Sequence, residues 1–322
     1  MERSIGLAFT TLTIFAPLAH ASHPQQAVRP EGTASPLEFV ATGPDHRGLA
    51  FARQVLPPRL ARASSATATA RAADAPQRAL SRVIYLNRDG VILRPGDNDS
   101  ARQRSTIVAE PTVIDGWDID DDTWDATVAC VAEIYAPFDV AITDVDPGDV
   151  PHIEAVFGGS PGDVGLPDNV AGVSPFTTDC AIIESSIVFT FTDLLPDDPR
   201  TICEVAAQEI AHSFGLDHEM LPSDPMTYLD YDGERTFQDE MAACGEYADR
   251  TCGVNGLMCR QRQNSFALLE QRLGARKAGA GRATDHDGTP GSGTTGGCTA
   301  TGGSAGLAMA LAWLGVRRRR RR

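Results

Sequence analysis

The sequence predicts an α+β fold, and three observations carry that expectation. Short runs rich in β-branched and aromatic residues recur at 83–86, 91–93, 138–143, 152–157, 170–176 and 186–192, which is the signature of strands. Among and after them lie segments whose apolar residues step by three and four, at 124–135 and 264–273, and a further helix opens near Thr201. The span 83–274 has the size of one domain, and 42% hydrophobic residues in the chain can supply a substantial core.

Ahead of that domain, Met1-Glu2-Arg3, an apolar run over 5–18 and Ala19-His20-Ala21 have the three parts of a secretory signal peptide over 1–21, with cleavage before Ser22. The run is short for a membrane-spanning helix, which is the alternative of an uncleaved anchor. Export is the expectation. Residues 22–82 are rich in Ala, Arg, Pro, Ser and Thr without sustained periodicity, so this segment cannot bury enough surface to fold alone. It reads either as a propeptide that covers a cleft in the domain and is removed, or as a disordered spacer.

Residues 83–86 (VIYL) break at Asn87-Arg88-Asp89-Gly90 and resume at 91–93, a hairpin signal. The acidic cluster at 115–122 (DGWDIDDD) could bind calcium, or its carboxylates could cap the next helix at its positive end. Trp124, Val128, Val131, Ile134 and Tyr135 mark one face of that helix. The strand at 152–157 ends at Gly158-Gly159, and the helix near Thr201 follows Pro196-Asp197-Asp198-Pro199. At the other end, 264–273 closes the domain.

The chemistry concentrates in 203–218, and above all in QEIAHSFGLDH at 208–218. Positions four apart share a helix face, so Gln208 and His212 point the same way with Glu209 beside them. Gly215 tolerates the left-handed conformation that ends helices, and the chain can then turn back to bring His218 to the same place. Met226 follows eight residues later, within Asp224-Pro225-Met226-Thr227-Tyr228. The order Gln-Glu-x-x-His-x-x-Gly-x-x-His with a later Met resembles the metzincin zinc peptidases, matrixins among them, with their HExxHxxGxxH helix and Met-turn. Gln208 stands where the family has histidine.

That resemblance implies a mixed twisted sheet with an active-site helix, Zn2+ held by His212, His218 and Gln208, Glu209 as general base, and Met226 beneath the metal. Tyr228 matches a tyrosine that in some subfamilies approaches the metal or the transition state. The strand at 170–176 corresponds to the edge that pairs with an extended peptide substrate, a general mode of peptide capture. An amide oxygen is a harder, weaker zinc donor than imidazole. His152, the only other histidine in 83–274, is a candidate substitute ligand or an ordinary hydrogen-bonded residue.

Cys130, Cys180, Cys203, Cys244, Cys252 and Cys259 form an even set in a chain expected to be exported, which favours three disulfides with fifteen pairings open. No cysteine precedes Cys130, so the cysteine latch of matrixin propeptides is unavailable. A Gly/Ser/Thr linker covers 275–297. Cys298, a weakly apolar stretch to Val316 and six arginines to Arg322 follow. Eighteen helical residues span roughly 27 Å, just short of the ~30 Å hydrocarbon core, and the arginines hold that end on the cytoplasmic side. This tail, 298–322, resembles the C-terminal sorting tails of myxobacteria, which implies membrane attachment until processing and a place at the cell envelope or surface. A formal net charge of −15 speaks against nucleic acid, since an acidic surface repels phosphate. Two functions are open: an exported zinc endopeptidase acting on peptides or proteins, favoured by the complete remainder of the motif, or a pseudopeptidase that binds proteins without cleaving them, favoured by Gln208.

Overall fold

The computed structural model describes residues 50–57, 78–254 and 256–277. The expected signal peptide, most of 22–82, the linker beyond 277 and the tail at 298–322 lie outside the described residues. No described helix is long and apolar enough to cross a membrane.

Among the described residues nine strands and three α-helices build an α+β architecture around a mostly parallel sheet. The strands are β1 (Ala50–Leu56), β2 (Val83–Asn87), β3 (Gly90–Pro95), β4 (Arg104–Ser105), β5 (Thr112–Asp115), β6 (Ala141–Thr143), β7 (His152–Phe157), β8 (Val170–Thr177) and β9 (Ile187–Thr190). The helices are α1 (Asp121–Ile134), α2 (Pro199–Ser213) and α3 (Ser265–Leu273). Six strands form the main sheet in the order β1-β8-β9-β7-β2-β6, and β4-β3-β5 form a small second one. Within the main sheet only β8 and β9 pair antiparallel.

Alternation along the strands divides the core between two faces. Ile84 and Leu86 of β2 and Ile153, Ala155 and Phe157 of β7 pack against Trp124, Val128 and Val131 of α1 and Ile202, Ala206 and Ile210 of α2. On the opposite face Val156, Val173, Ile187 and Phe189 meet Val91, Leu93 and Ile114 of the small sheet. A sheet covered on both faces reads as continuous apolar strands rather than alternating ones, which is why all of β7, β8 and β9 is buried.

Three expectations change. First, 83–86 and 91–93 do not form a hairpin. Both edges of β2 are taken by parallel neighbours, β6 and β7, so the chain leaves that sheet and β3 pairs instead with β5. Gly90, at φ 82°, makes the change of direction. Second, the composition of 22–82 pointed to no element, yet Ala50–Leu56 is a strand buried along nearly its whole length. Borrowing an edge for its hydrogen bonds lets a segment with no core of its own become ordered. Third, β8 is not a free edge here, because β1 lies parallel to it from Ala50 to Leu56.

The acidic cluster contributes a helix cap: Asp120 accepts from Thr123 N at 2.9 Å, while Asp121 pairs with Arg88 at 2.7 Å. The six cysteines pair as Cys130–Cys203, Cys180–Cys259 and Cys244–Cys252. The first of these ties α1 to α2.

Candidate active site

Helix α2 starts under strong local control, with Asp198 accepting from Thr201 N at 2.9 Å and Pro199 in the first turn. From Ile202 to Ser213 every residue except Glu204 is buried. A helix enclosed on all sides is expected to be apolar all round, and Gln208, Glu209 and His212 break that rule. Buried polar groups need partners, so the arrangement around these three is informative.

At the helix end Gly215 takes φ 73°. Its N–H donates to His212 O at 2.8 Å, and Leu216 N donates to Ala211 O at 3.2 Å, the double closure of a left-handed helix cap. A β-carbon there would strike the Cys180 carbonyl and the Arg272 guanidinium. The reversal brings His218 back over α2, with Nε2 3.0 Å from His212 Nε2 and 3.2 Å from Gln208 Nε2. The structure thus assembles the three expected ligands from one short stretch.

The opposite ring nitrogens fix the tautomers. His212 Nδ1 lies 2.7 Å from Leu216 O, and His218 Nδ1 2.9 Å from a Glu246 carboxylate oxygen. Both acceptors require the Nδ1 proton, which leaves both Nε2 atoms as lone pairs facing each other. Two nitrogens bound at about 2.05 Å in a tetrahedral arrangement sit roughly 3.3 Å apart, close to the spacing observed. Burial, with His218 and Arg53 nearby, holds His212 well below the usual histidine range. Burial and Arg53 push His218 down to about 4 against the pull of Glu246. Neutral imidazoles are the form that binds metal, so these residues fit a metal cation.

Glu209 is fully buried, and neither carboxylate oxygen has a hydrogen-bond partner among the described residues. Burial pushes its carboxyl well above the usual range, opposed by Arg53. A buried carboxyl without a partner costs stability, and it sits one turn from His212 on the same helix. Gly172 of β8 lies against it, and a β-carbon there would meet the Glu209 side chain at 2.8 Å.

Met226 is buried in the same core and its carbonyl accepts from Glu219 N at 2.9 Å, directly after His218. Asp224 holds that loop by accepting from Met226 N and Gln238 N. The Tyr228 ring packs edge-on to His218 at 4.6 Å, while its hydroxyl donates to Phe51 O of β1 at 3.1 Å. His152 is elsewhere: it sits on β7, with Nδ1 2.7 Å from Val150 O and its ring against Tyr85.

The sequence reading missed a buried charge cluster next to this site. Arg53 of β1 pairs with Asp217 and, at 3.3 Å, with Glu246. Arg250 pairs with the same two carboxylates at 2.6 Å each. Asp217 also accepts from Gly253 N and His218 N. Although burial opposes ionisation, these partners hold both Asp217 and Glu246 below the ordinary carboxylate range. Asp217 lies inside the recognised motif and was within reach of sequence reasoning; Arg53 and Glu246 are brought in from 164 and 28 residues away, with no local signal.

Two further groups of metal-ligating side chains converge among the described residues, Asp217 with Cys244 and Cys252, and Asp217 with His218 and Glu246. In the first the cysteines are bonded to each other; in the second both carboxylates are engaged by arginines. Gln208, His212 and His218 converge on the inner side of the second group, sharing His218 with it, and there the Gln208 amide nitrogen as placed faces His218 Nε2 at 3.2 Å. No protein-family model matches the chain, and no curated protein matches it.

Proposed function

We propose that the chain is an exported, zinc-dependent endopeptidase of the metzincin type, made in a form whose substrate edge is filled by its own strand β1. The observation that carries this reading is the pair of facing Nε2 atoms of His212 and His218, together with the buried, unpartnered carboxyl of Glu209 one turn from His212 on the same helix. Gln208, His212 and His218 would hold the ion, the amide turned to present its oxygen. Zinc, when bound, supplies Lewis acidity toward water and toward a carbonyl oxygen.

Everything else falls to the chain's own groups. Glu209 takes the proton from the attacking water and returns it to the leaving amine. Once Phe51 has left, the Tyr228 hydroxyl is free to donate to the oxygen on which charge develops. Strand β8 lends its backbone to an extended peptide, as it now does to β1. The signal peptide and tail expected from the sequence support a place for this activity at the cell envelope or surface.

A second reading keeps the same pocket for binding alone. It is favoured by Gln208, whose amide nitrogen as placed donates to His218 Nε2 and so satisfies one lone pair without metal. The two separate in one experiment on the chain cut between Leu56 and Ala79. The endopeptidase reading expects about one zinc per chain, peptide hydrolysis abolished by Glu209→Ala without loss of zinc, and tighter zinc in Gln208→His. Wild-type protein without zinc or hydrolysis, and a Gln208→His variant that gains both, would establish the pseudopeptidase. If neither chain binds zinc, the metal site is misassigned.

A further inference from the structure

Arg53 is an arginine on a strand whose other contacts are those of a peptide laid along β8, and its side chain is completely enclosed. Fully burying a guanidinium is costly unless charge and hydrogen bonding compensate it. Here Nη1 meets Asp217 and Nη2 meets Glu246, while the guanidinium carbon lies 4.9 Å from the centroid of the Phe176 ring. Two carboxylates and an aromatic face suit the planar, weakly hydrated guanidinium better than an ammonium.

Two carboxylates and two arginines meet here. Asp217 and Glu246 carry two negative charges, and Arg250 is the resident counter-charge for one of them. Among the described residues the other cation bonded to the pair is Arg53, delivered on β1 across 164 residues of sequence, while Arg260 acts on Asp217 only at longer range. If β1 departs, Asp217 keeps its bonds from Gly253 N, His218 N and Arg250, so the pocket stays formed. Arg250 is then the one described arginine still paired with the two carboxylates, beside the aromatic face of Phe176.

We infer that Asp217, Glu246 and Phe176 form an arginine subsite next to the proposed catalytic centre, filled in cis by Arg53 and taken, when β1 is absent, by the arginine of an extended peptide paired with β8. This deepens the endopeptidase reading by naming its substrate class: peptides with arginine at the position that lies over Phe176. The same subsite would select the ligand if the chain binds without cleaving.

The test is peptide binding to the full chain carrying Arg53→Ala, in which β1 has lost its charged anchor. Four fluorescent peptides of the β1 sequence are titrated and read by anisotropy: AFARQVL itself, and versions with lysine, citrulline or alanine in place of the arginine. The expected order is arginine first, lysine weaker, and citrulline and alanine weaker than arginine by about tenfold or more, since citrulline keeps the shape and loses the charge. Wild-type chain should bind all four less well, because tethered Arg53 competes. Equal affinity for the arginine and citrulline peptides, or no binding of the arginine peptide to an Arg53→Ala chain with unchanged near-UV circular dichroism, overturns the subsite. If Arg53→Ala does not fold, Arg53→Met preserves the aliphatic stem over Phe176 and the same outcomes apply. Because anisotropy needs neither zinc nor turnover, failure of the endopeptidase reading leaves this result standing, and the converse holds as well.

Discussion

Glu154→Gln should make the protein more stable at alkaline pH and leave it nearly unchanged at acid pH. Glu154 lies on β7 between two parallel neighbours, 3% exposed, with one oxygen accepting from Asn87 Nδ2 at 2.8 Å. Burial lifts its carboxyl from 4.5 to about 7, partly opposed by the Asn87 hydrogen bond and helped by Asp146. Below pH 4.5 the carboxyl is protonated in both the folded and the unfolded chain. Between 4.5 and about 7 the unfolded chain loses this proton while the folded chain keeps it, so stability falls as pH rises. At roughly 1.4 kcal/mol per pH unit, the cost present above pH 7 is about 3 kcal/mol. Glutamine stays neutral throughout and its amide oxygen can still accept from Asn87. Urea unfolding at pH 5, 6.5 and 8 should therefore give a difference between variant and wild type that grows from about 1 kcal/mol to about 3 kcal/mol in favour of glutamine. Parallel stability curves for the two proteins would show that Glu154 is ionised in the folded state at every pH and that the reasoning from burial is wrong.

Replacing Cys130 and Cys203 together by alanine opens a loop of 73 residues, and chain entropy alone sets the loss at about 4 kcal/mol; the midpoint of urea unfolding should fall accordingly, and a change below about 1 kcal/mol would mean that the bridge is strained or dispensable. Gly215→Ala should cost about 2 kcal/mol or more, from the left-handed backbone and from collision with Cys180 and Arg272. Thermal unfolding checks this, and an unaltered midpoint would contradict the cap as described.

Much of the candidate site was legible because it is local. The spacing from Gln208 to His218 needs one helix and one glycine-capped reversal, both of which are set by residues inside the motif, and the structure brings the nitrogens of His212 and His218 to 3.0 Å. The strand at 152–157 and the two outer helices were equally readable, since burial on one or both faces writes itself into residue type. Even cysteine count with export argued for three bridges, and three are present among the described residues.

What needed the tertiary structure was everything that depends on a partner strand or a distant charge. Residues 83–93 have the local grammar of a hairpin, yet β2 has parallel neighbours on both sides, and no nearest-neighbour rule can report that an edge is already occupied. Ala50–Leu56 lacks the composition of an independent fold and becomes a strand only because β8 offers it hydrogen bonds and Asp217 offers Arg53 a counter-charge. Likewise the choice among fifteen disulfide pairings depends on which loops meet in space. Sequence determines interactions closed within a turn or two of chain, where entropy leaves few alternatives; pairing across 100 residues or more is decided by the free energy of the whole packed domain.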